Sequence, residues 1–317
     1  MDAFVTVQNL KKKFGELVAV DNLNFEVFAG EIFGFLGPNG AGKSTTLNIL
    51  TGLLACDQGE ITVAGLDLAH DARRIKALIG IVPQDVAVFE SLTARENVAY
   101  YAGLYGLAGA RLKAAVAEAL AFVGLAEHAK QRAGKMSGGM KRRLNIACGI
   151  AHNPKLIVLD EPTVGVDAQS REHIMGSIRT LRDRGATIIY TSHYMPEVQE
   201  ICDRIAIIDH GKLVGSGTEE ELLEVVTDIK TVTEQLRAPN ATQLEQALAK
   251  LSVLPDVRHV ALDEDASLLR IDVALGLDDI TPLLAVLLEQ GIRTEAINSE
   301  APDLETTFLA LTGRELR

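Results

Sequence analysis

Gly37-Pro38-Asn39-Gly40-Ala41-Gly42-Lys43-Ser44 is the stretch on which the reading of this chain turns. Residues 31–36, Glu-Ile-Phe-Gly-Phe-Leu, read as a short apolar strand before it, and residues 45–53 as a helix after it. Glycines let backbone N–H groups converge on a phosphate where a Cβ would intrude. A helix N-terminus brings about half a positive charge to the same point. In that setting Lys43 reaches the β- and γ-phosphates of a nucleotide and the Ser44 hydroxyl ligates Mg2+. Gly37, Pro38, Asn39, Gly40, Ala41, Gly42 and Thr45 complete the expected phosphate cradle.

Further along, Leu156-Ile157-Val158-Leu159-Asp160-Glu161 lies between Pro154 and Pro162. Four consecutive apolar residues with such boundaries suit a strand buried on both faces of a parallel sheet. Ligand sites of such sheets lie beyond the strand C-termini, which puts Asp160 and Glu161 at the same edge as Lys43. Asp160 is suited to hold Mg2+, and Glu161 is expected to be free to polarise an attacking water. Taken alone, the pair also reads as a solvated strand end.

Between these stretches, Met136-Ser137-Gly138-Gly139-Met140-Lys141-Arg142-Arg143 resembles the signature of ATP-binding cassette transporters. Other pieces follow in that family's order over about 180 residues. Phe14 resembles the aromatic that stacks on adenine. Gln84, after the expected strand 79–83, resembles the Q-loop glutamine. Val164-Gly165-Val166-Asp167 resembles the D-loop, and His193, after residues 188–191, the switch histidine. The resemblance spans residues 3 to about 225. It implies ATP and Mg2+ as cofactors, with Gln84 contacting the metal and a membrane partner. It also implies that Ser137, Gly138 and Gly139 act on ATP held by a second copy of the chain, and that Asp167 belongs to the nucleotide site. Each piece has a plainer reading in isolation: Ser137 as a helix N-cap, His193 as a structural histidine, Phe14 as core.

Three departures stand out: Met140 where glutamine is common, Phe14 for tyrosine, and Ala168 for proline. None removes a residue that hydrolysis needs. Gly-Gly-Met-Lys-Arg-Arg-Leu, Glu-Pro-Thr-Val-Gly-Val-Asp and Thr-Ser-His-Tyr-Met resemble the branch that exports drugs, antibiotics and lipids, in which ATPase and permease are separate subunits. The alternative is a soluble cassette ATPase of translation or DNA repair. Those carry two cassettes or long coiled coils, and this chain has one copy of each motif. A nucleotide-binding module without turnover is opposed by the presence of Glu161 and His193.

Composition narrows the partners. The net charge of −12 argues against nucleic acid or anionic lipid as the main binding surface. No apolar run reaches the 18 residues of a membrane span, and residues 1–10 lack the pattern of a signal peptide. Attachment at the cytoplasmic face of the cell membrane is therefore expected through permease subunits, without direct insertion. Cys56, Cys148 and Cys202 are scattered and read as reduced thiols. Lys11-Lys12-Lys13 reads as a solvated turn.

The expected fold is α/β. A P-loop cassette core over 1–226 carries a helical subdomain at about 86–152, with helices at 94–105 and 110–123, and closes with strands at 204–209 and 213–216 and a helix at 219–226. Residues 227–317 are expected to form a small α+β accessory domain. Its strands are read at 228–236, 257–262, 267–273 and 292–297 and its helices at 242–251, 278–289 and 303–311, the ferredoxin-like order βαββαβ.

Overall fold

The computed structural model describes residues 3–224, 229–237, 240–263, 268–274, 277, 279–300 and 304–312. Contacts divide the chain into two compact units, Met1–Glu219 and Glu220–Glu315.

The first unit is built on a six-stranded sheet. Its order is Lys212–Gly217, Arg204–Asp209, Ile32–Leu36, Thr187–Ser192, Leu156–Asp160, Ile79–Val82. All neighbours are parallel except the edge strand Lys212–Gly217, which runs antiparallel to Arg204–Asp209. Ile32–Leu36 and Thr187–Ser192 are buried along their whole length, as central parallel strands with helices over both faces must be. Parallel pairing aligns the C-terminal ends of Ile32–Leu36, Leu156–Asp160 and Thr187–Ser192. Lys43, Asp160, Glu161 and His193 all follow from that one edge.

A second sheet, antiparallel and four-stranded, runs Leu17–Phe28, Ala3–Phe14, Gln58–Val63, Leu66–Asp67. It shares one apolar core with the first: Val5, Val7, Val20 and Val27 pack with Phe33, Phe35, Leu47 and Ile208. Sequence reading did not resolve this sheet. The register shifts between Val7 and Leu10, beside Asn9 at φ 50°, so a bulge breaks the alternation of inward and outward residues. Lys11-Lys12-Lys13, expected as a turn, lie within the strand Ala3–Phe14, and Lys12 Nζ donates to Asp57 Oδ1 at 2.8 Å. The helix expected at 45–53 is Lys43–Leu50. It starts directly after Gly42, whose left-handed backbone leads into it, and gives way to a turn before Gly52 at φ 68°.

The helical region comprises Ala94–Leu104, Gly109–Phe122 and Gly138–Ile150. Thr93 caps the first reciprocally with Glu96.

In the second unit the sheet order is Val257–Asp263, Leu268–Ala274, Ile229–Arg237, Arg293–Glu300, all antiparallel, which is ferredoxin-like topology. Ala241–Leu251 and Thr281–Glu289 cover one face through Ala247, Leu251, Leu283 and Leu287. An Arg270–Glu305 bond of 2.9 Å ties Leu304–Thr312 to this sheet. Residues 225–228, 264–267, 278, 303 and 313, where sequence reading placed element ends, a turn or part of the tail, lie outside the described residues.

One residue breaks this core's chemistry. Glu234 is fully buried between Val232 and Leu236 in sequence and shares their side of the strand. Neither of its carboxyl oxygens has a hydrogen-bond partner among the described residues. Burial raises its pKa from 4.5 to about 7. The folded unit therefore holds this proton more tightly than the unfolded chain. Stability is undiminished below pH ~4.5, falls as pH rises toward ~7, and stays lower above it, by about 3 kcal/mol at most. Replacing Glu234 with Leu should protect amides of this sheet from hydrogen exchange strongly at pH 7.5 and hardly at all near pH 4.5. Equal protection at both values would mean that the carboxyl is solvated in the folded unit.

Candidate functional site

The phosphate loop is shaped by close backbone approaches. A Cβ on Gly37 would lie 2.3 Å from Ile208 O, and one on Gly42 would lie 2.5 Å from Ala19 O. Gly40 and Gly42 stand at φ 83° and 102°. The loop is pinned from outside by Gly211 N–H donating to Ala41 O at 2.9 Å. The N–H groups of Gly40, Gly42, Lys43 and Ser44 meet no acceptor among the described residues. Such a cluster of orphan donors at a helix N-terminus is what a phosphate group satisfies. Ser44 and Asn39 are exposed and Thr45 is half-buried beside them. Lys43 is buried, and its Nζ donates to Gly37 O at 2.5 Å and Pro38 O at 3.2 Å. Burial lowers its pKa, and Glu161, then Asp160, oppose that shift.

Glu161 is the centre of the site. It lies just past the strand Leu156–Asp160 at φ 46°, a left-handed conformation that costs a non-glycine residue about 1 kcal/mol. Its N–H donates to Thr191 Oγ1 at 3.0 Å, which holds the turn. The carboxylate is buried and meets three groups from three elements. Gln84 Nε2 donates at 2.9 Å, His193 Nδ1 lies at 3.0 Å and Lys43 Nζ at 3.9 Å. Among these polar neighbours the carboxylate is held in place. Asp160 accepts from Thr191 Oγ1 at 2.7 Å through one oxygen, Oδ1. No group of three or more acidic, His or Cys residues forms a metal cage among the described residues. The Asp160 carboxylate and the Ser44 hydroxyl are the kind of ligands that suit Mg2+, which binds through few protein groups and takes its remaining ligands from phosphate and water.

Other expected site residues lie apart from this cluster. Phe14 is exposed at the end of its strand, with Lys12 Nζ 5.5 Å from the ring centroid. Ser137 caps the helix Gly138–Ile150 by accepting from Met140 N–H at 3.2 Å, and Ser137 and Gly138 are exposed. Asp167 caps Ala168–Asp183, accepting from Ser170 N–H and Ser170 Oγ, each at 2.9 Å. The two glycines of the signature differ. A Cβ on Gly138 meets nothing within 4 Å, whereas one on Gly139 would lie 2.0 Å from Ser170 Oγ. Gly139 is therefore required by the contact between the two helix starts.

Sequence reasoning missed a layer of buried polar residues behind the site. Arg142 and Asn145, one turn apart, reach the backbone of residues 83–87. Glu197, also buried, accepts from Thr163 Oγ1 and Tyr190 OH, each at 2.7 Å, and lies 3.2 Å from Arg171 Nε. That carboxylate ties the turn after Glu161 to the helix after His193. The signal in the sequence was the i, i+3 pair of polar residues on the apolar face of a helix.

Gly139→Ala should lower stability by about 1–3 kcal/mol through overpacking, and Gly138→Ala should be close to neutral. Adding Ser170→Gly to Gly139→Ala should cost less than the sum of the two changes. Denaturant unfolding of wild type, the three single variants and the double variant checks this.

Comparison with known proteins bears on the whole chain. A sequence model described as ABC transporter matches residues 20–164. The linearmycin resistance ATP-binding protein LnrL of Bacillus subtilis is 40% identical over 316 residues, covering 98% of each chain. A Nod factor export ATP-binding protein I of Burkholderia thailandensis is 35% identical, covering 99% of this chain and 98% of its own. Among solved structures, a dimeric ATP-binding cassette in a post-hydrolysis state, bound to ADP and Pi, superposes with a TM-score of 0.62. It is 28% identical and covers 68% of this chain and 98% of its own. With a core sheet, a phosphate loop and near full-length relatives of this kind, the chain belongs to the ABC transporter family as an ATP-binding protein.

Proposed function

We propose that this chain is the ATP-hydrolysing subunit of an export system that moves a drug-, antibiotic- or lipid-like molecule through a separate transmembrane permease. The observation that carries the reading is the convergence of Lys43, Gln84 and His193 on the buried Glu161 at one sheet edge. Lys43 exchanges its carbonyl partners, Gly37 O and Pro38 O, for phosphate oxygens, with the orphan N–H groups of the loop beside it. Glu161 accepts the proton of a water that attacks the γ-phosphorus, and ADP leaves with the bridging oxygen. His193 is poised to donate to the γ-phosphate, and Gln84 orients the carboxylate. Ser44, Asp160 and Gln84 would hold Mg2+, which would supply neutralisation of phosphate charge. Phe14 offers its exposed face to the adenine.

Ser137, Gly138 and Asp167 are exposed and bond only locally, so they suit the ATP of a second copy of this chain. The signature helix start then supplies N–H donors across the interface. The dimeric cassette among the similar structures supports this arrangement. Two states, closed on ATP and open after hydrolysis, make a motor. Among the described residues no helix is long and apolar enough to cross a membrane. Work on the membrane thus falls to permease subunits, with this chain bound to them at the cytoplasmic face. An exposed aromatic group suits that contact. Phe89 and Tyr100 stack edge to face at 5.0 Å, and Tyr101 OH, beside them, donates to Ala87 O in the segment after Gln84.

Purified protein should release phosphate from ATP in the presence of Mg2+. Glu161→Gln should retain ATP binding and lose about 10²–10⁴ in rate, while Lys43→Ala should weaken binding as well. Phosphate release from Glu161→Gln at the wild-type rate removes the assigned role. For the partner, Phe89→Ala with Tyr100→Ala should abolish co-purification with the cognate permease and leave ATP hydrolysis by the isolated subunit within about two-fold. Retention of the permease by the double variant rejects the docking surface.

A further inference from the structure

Arg142 stands on the helix Gly138–Ile150, one turn past the Ser137 cap, and is buried. Its Nη1 donates to Gln84 O at 2.6 Å and Pro83 O at 3.2 Å, and its Nη2 to Val164 O at 3.4 Å. Asn145 adds to the hold, donating to Pro83 O at 3.3 Å and accepting from Ala87 N–H at 3.2 Å. The loop that carries Gln84 is thereby hung from the buried face of this helix. Val164 lies three residues beyond Glu161, in the turn where Val164 N–H donates back to Glu161 O at 3.3 Å.

These bonds close a ring. From Arg142 it passes to the Gln84 backbone, through the Gln84 side chain to Glu161 at 2.9 Å, along the chain to Val164, and back to Arg142. One guanidinium thus holds the backbone of Gln84 and that of Val164, three residues past Glu161, the two chain segments that the Gln84–Glu161 hydrogen bond joins. Burial works against its charge, and Asp85 and Glu161 offset part of that, so the group also lies within the electrostatic reach of the carboxylate. A planar fork can span two loops; an ammonium, a point charge on a flexible stem, cannot hold the same pair of directions.

We infer that Arg142 is a positioning residue for hydrolysis, which sets the orientation of Glu161 through Gln84 and links it to the helix that begins at the signature. The inference rests on the ATP-hydrolysis reading above. It assigns the buried face of that helix a task distinct from that of its exposed N-terminus: movement of the helix changes the alignment of a carboxylate that it does not touch.

The test compares wild type with Arg142→Lys, which keeps charge and much of the volume, and Arg142→Gln, each alone and with Gln84→Ala. In Arg142→Lys, kcat should fall at least about ten-fold, within the range that general-base alignment commands, with KM for ATP and the thermal midpoint close to wild type. Combined with Gln84→Ala, the loss should be well short of the product of the single losses, because both changes act on the same hydrogen bond. Protein labelled with 15N-glutamine supplies a readout that does not depend on turnover. The Gln84 side-chain amide signal, identified by its absence in Gln84→Ala, should move toward the position of a solvent-exposed amide in both Arg142 variants. An unmoved signal overturns the inference, as do multiplicative losses. So does a fall in thermal midpoint and nucleotide binding in both variants, which would make Arg142 a fold staple. If wild type itself releases no phosphate, the functional reading fails, and the amide signal alone then decides whether Arg142 positions Gln84.

Discussion

Lys43 and Glu161 bring opposite charges to 3.9 Å with 6% and 5% of each side chain exposed. Removing two ions from water is costly, and attraction offsets that only when every remaining donor and acceptor is placed. The surrounding structure meets that condition. Two carbonyls of the phosphate loop accept from the ammonium, and Gln84 and His193 engage the carboxylate. Each comes from a different loop at the same sheet edge, so the parallel pairing that aligns those strand ends is a precondition for the pair. The strained backbone of Glu161 fits the same logic. It persists because Thr191 Oγ1 and the turn through Val164 over-determine it.

This arrangement makes the pair exchangeable. Lys43 already rests on neutral acceptors, and its charge is discouraged by burial while Glu161 and Asp160 support it. A phosphate offers the ammonium a stronger partner than two carbonyls. Release of Lys43 toward phosphate would leave Glu161 with Gln84 and His193 as its polar neighbours. In the proposed function, arrival of nucleotide would thus act on the carboxylate through this network.

What was legible in the sequence is what is local. Glycine spacing, a strand before and a helix after, and carboxylates ending an apolar run each follow from backbone sterics within a dozen residues. So did the topology of the second unit, whose strands and helices are short and ordered along the chain. The sheet Ala3–Phe14 with Leu17–Phe28 was hidden because its bulges interrupt the two-residue period. Arg142 was hidden for a different reason. Its partners lie 58 and 22 residues away and are carbonyl oxygens, which carry no side-chain identity to read. Glu234 was misleading in the opposite sense: its residue type reads as solvent-facing, and the strand buries it.

The sheet order has a consequence for how the chain is made. Ile32–Leu36 pairs with Thr187–Ser192 and Arg204–Asp209, and the phosphate loop is pinned by Gly211, whose carbonyl also accepts from Asp21 N–H. During synthesis the nucleotide motif therefore precedes by about 170 residues the Gly211 N–H that pins Ala41 O, although the apolar core it shares with the antiparallel sheet lies close to it in sequence. Contacts of such long sequence separation close slowly and late. At the ribosome the loop lacks that pin through most of translation, and the apolar strand before it, Ile-Phe-Gly-Phe-Leu, waits without its two paired strands. That strand is the segment that chaperones and aggregation compete for, and synthesis of the turn at 210–211 ends the competition.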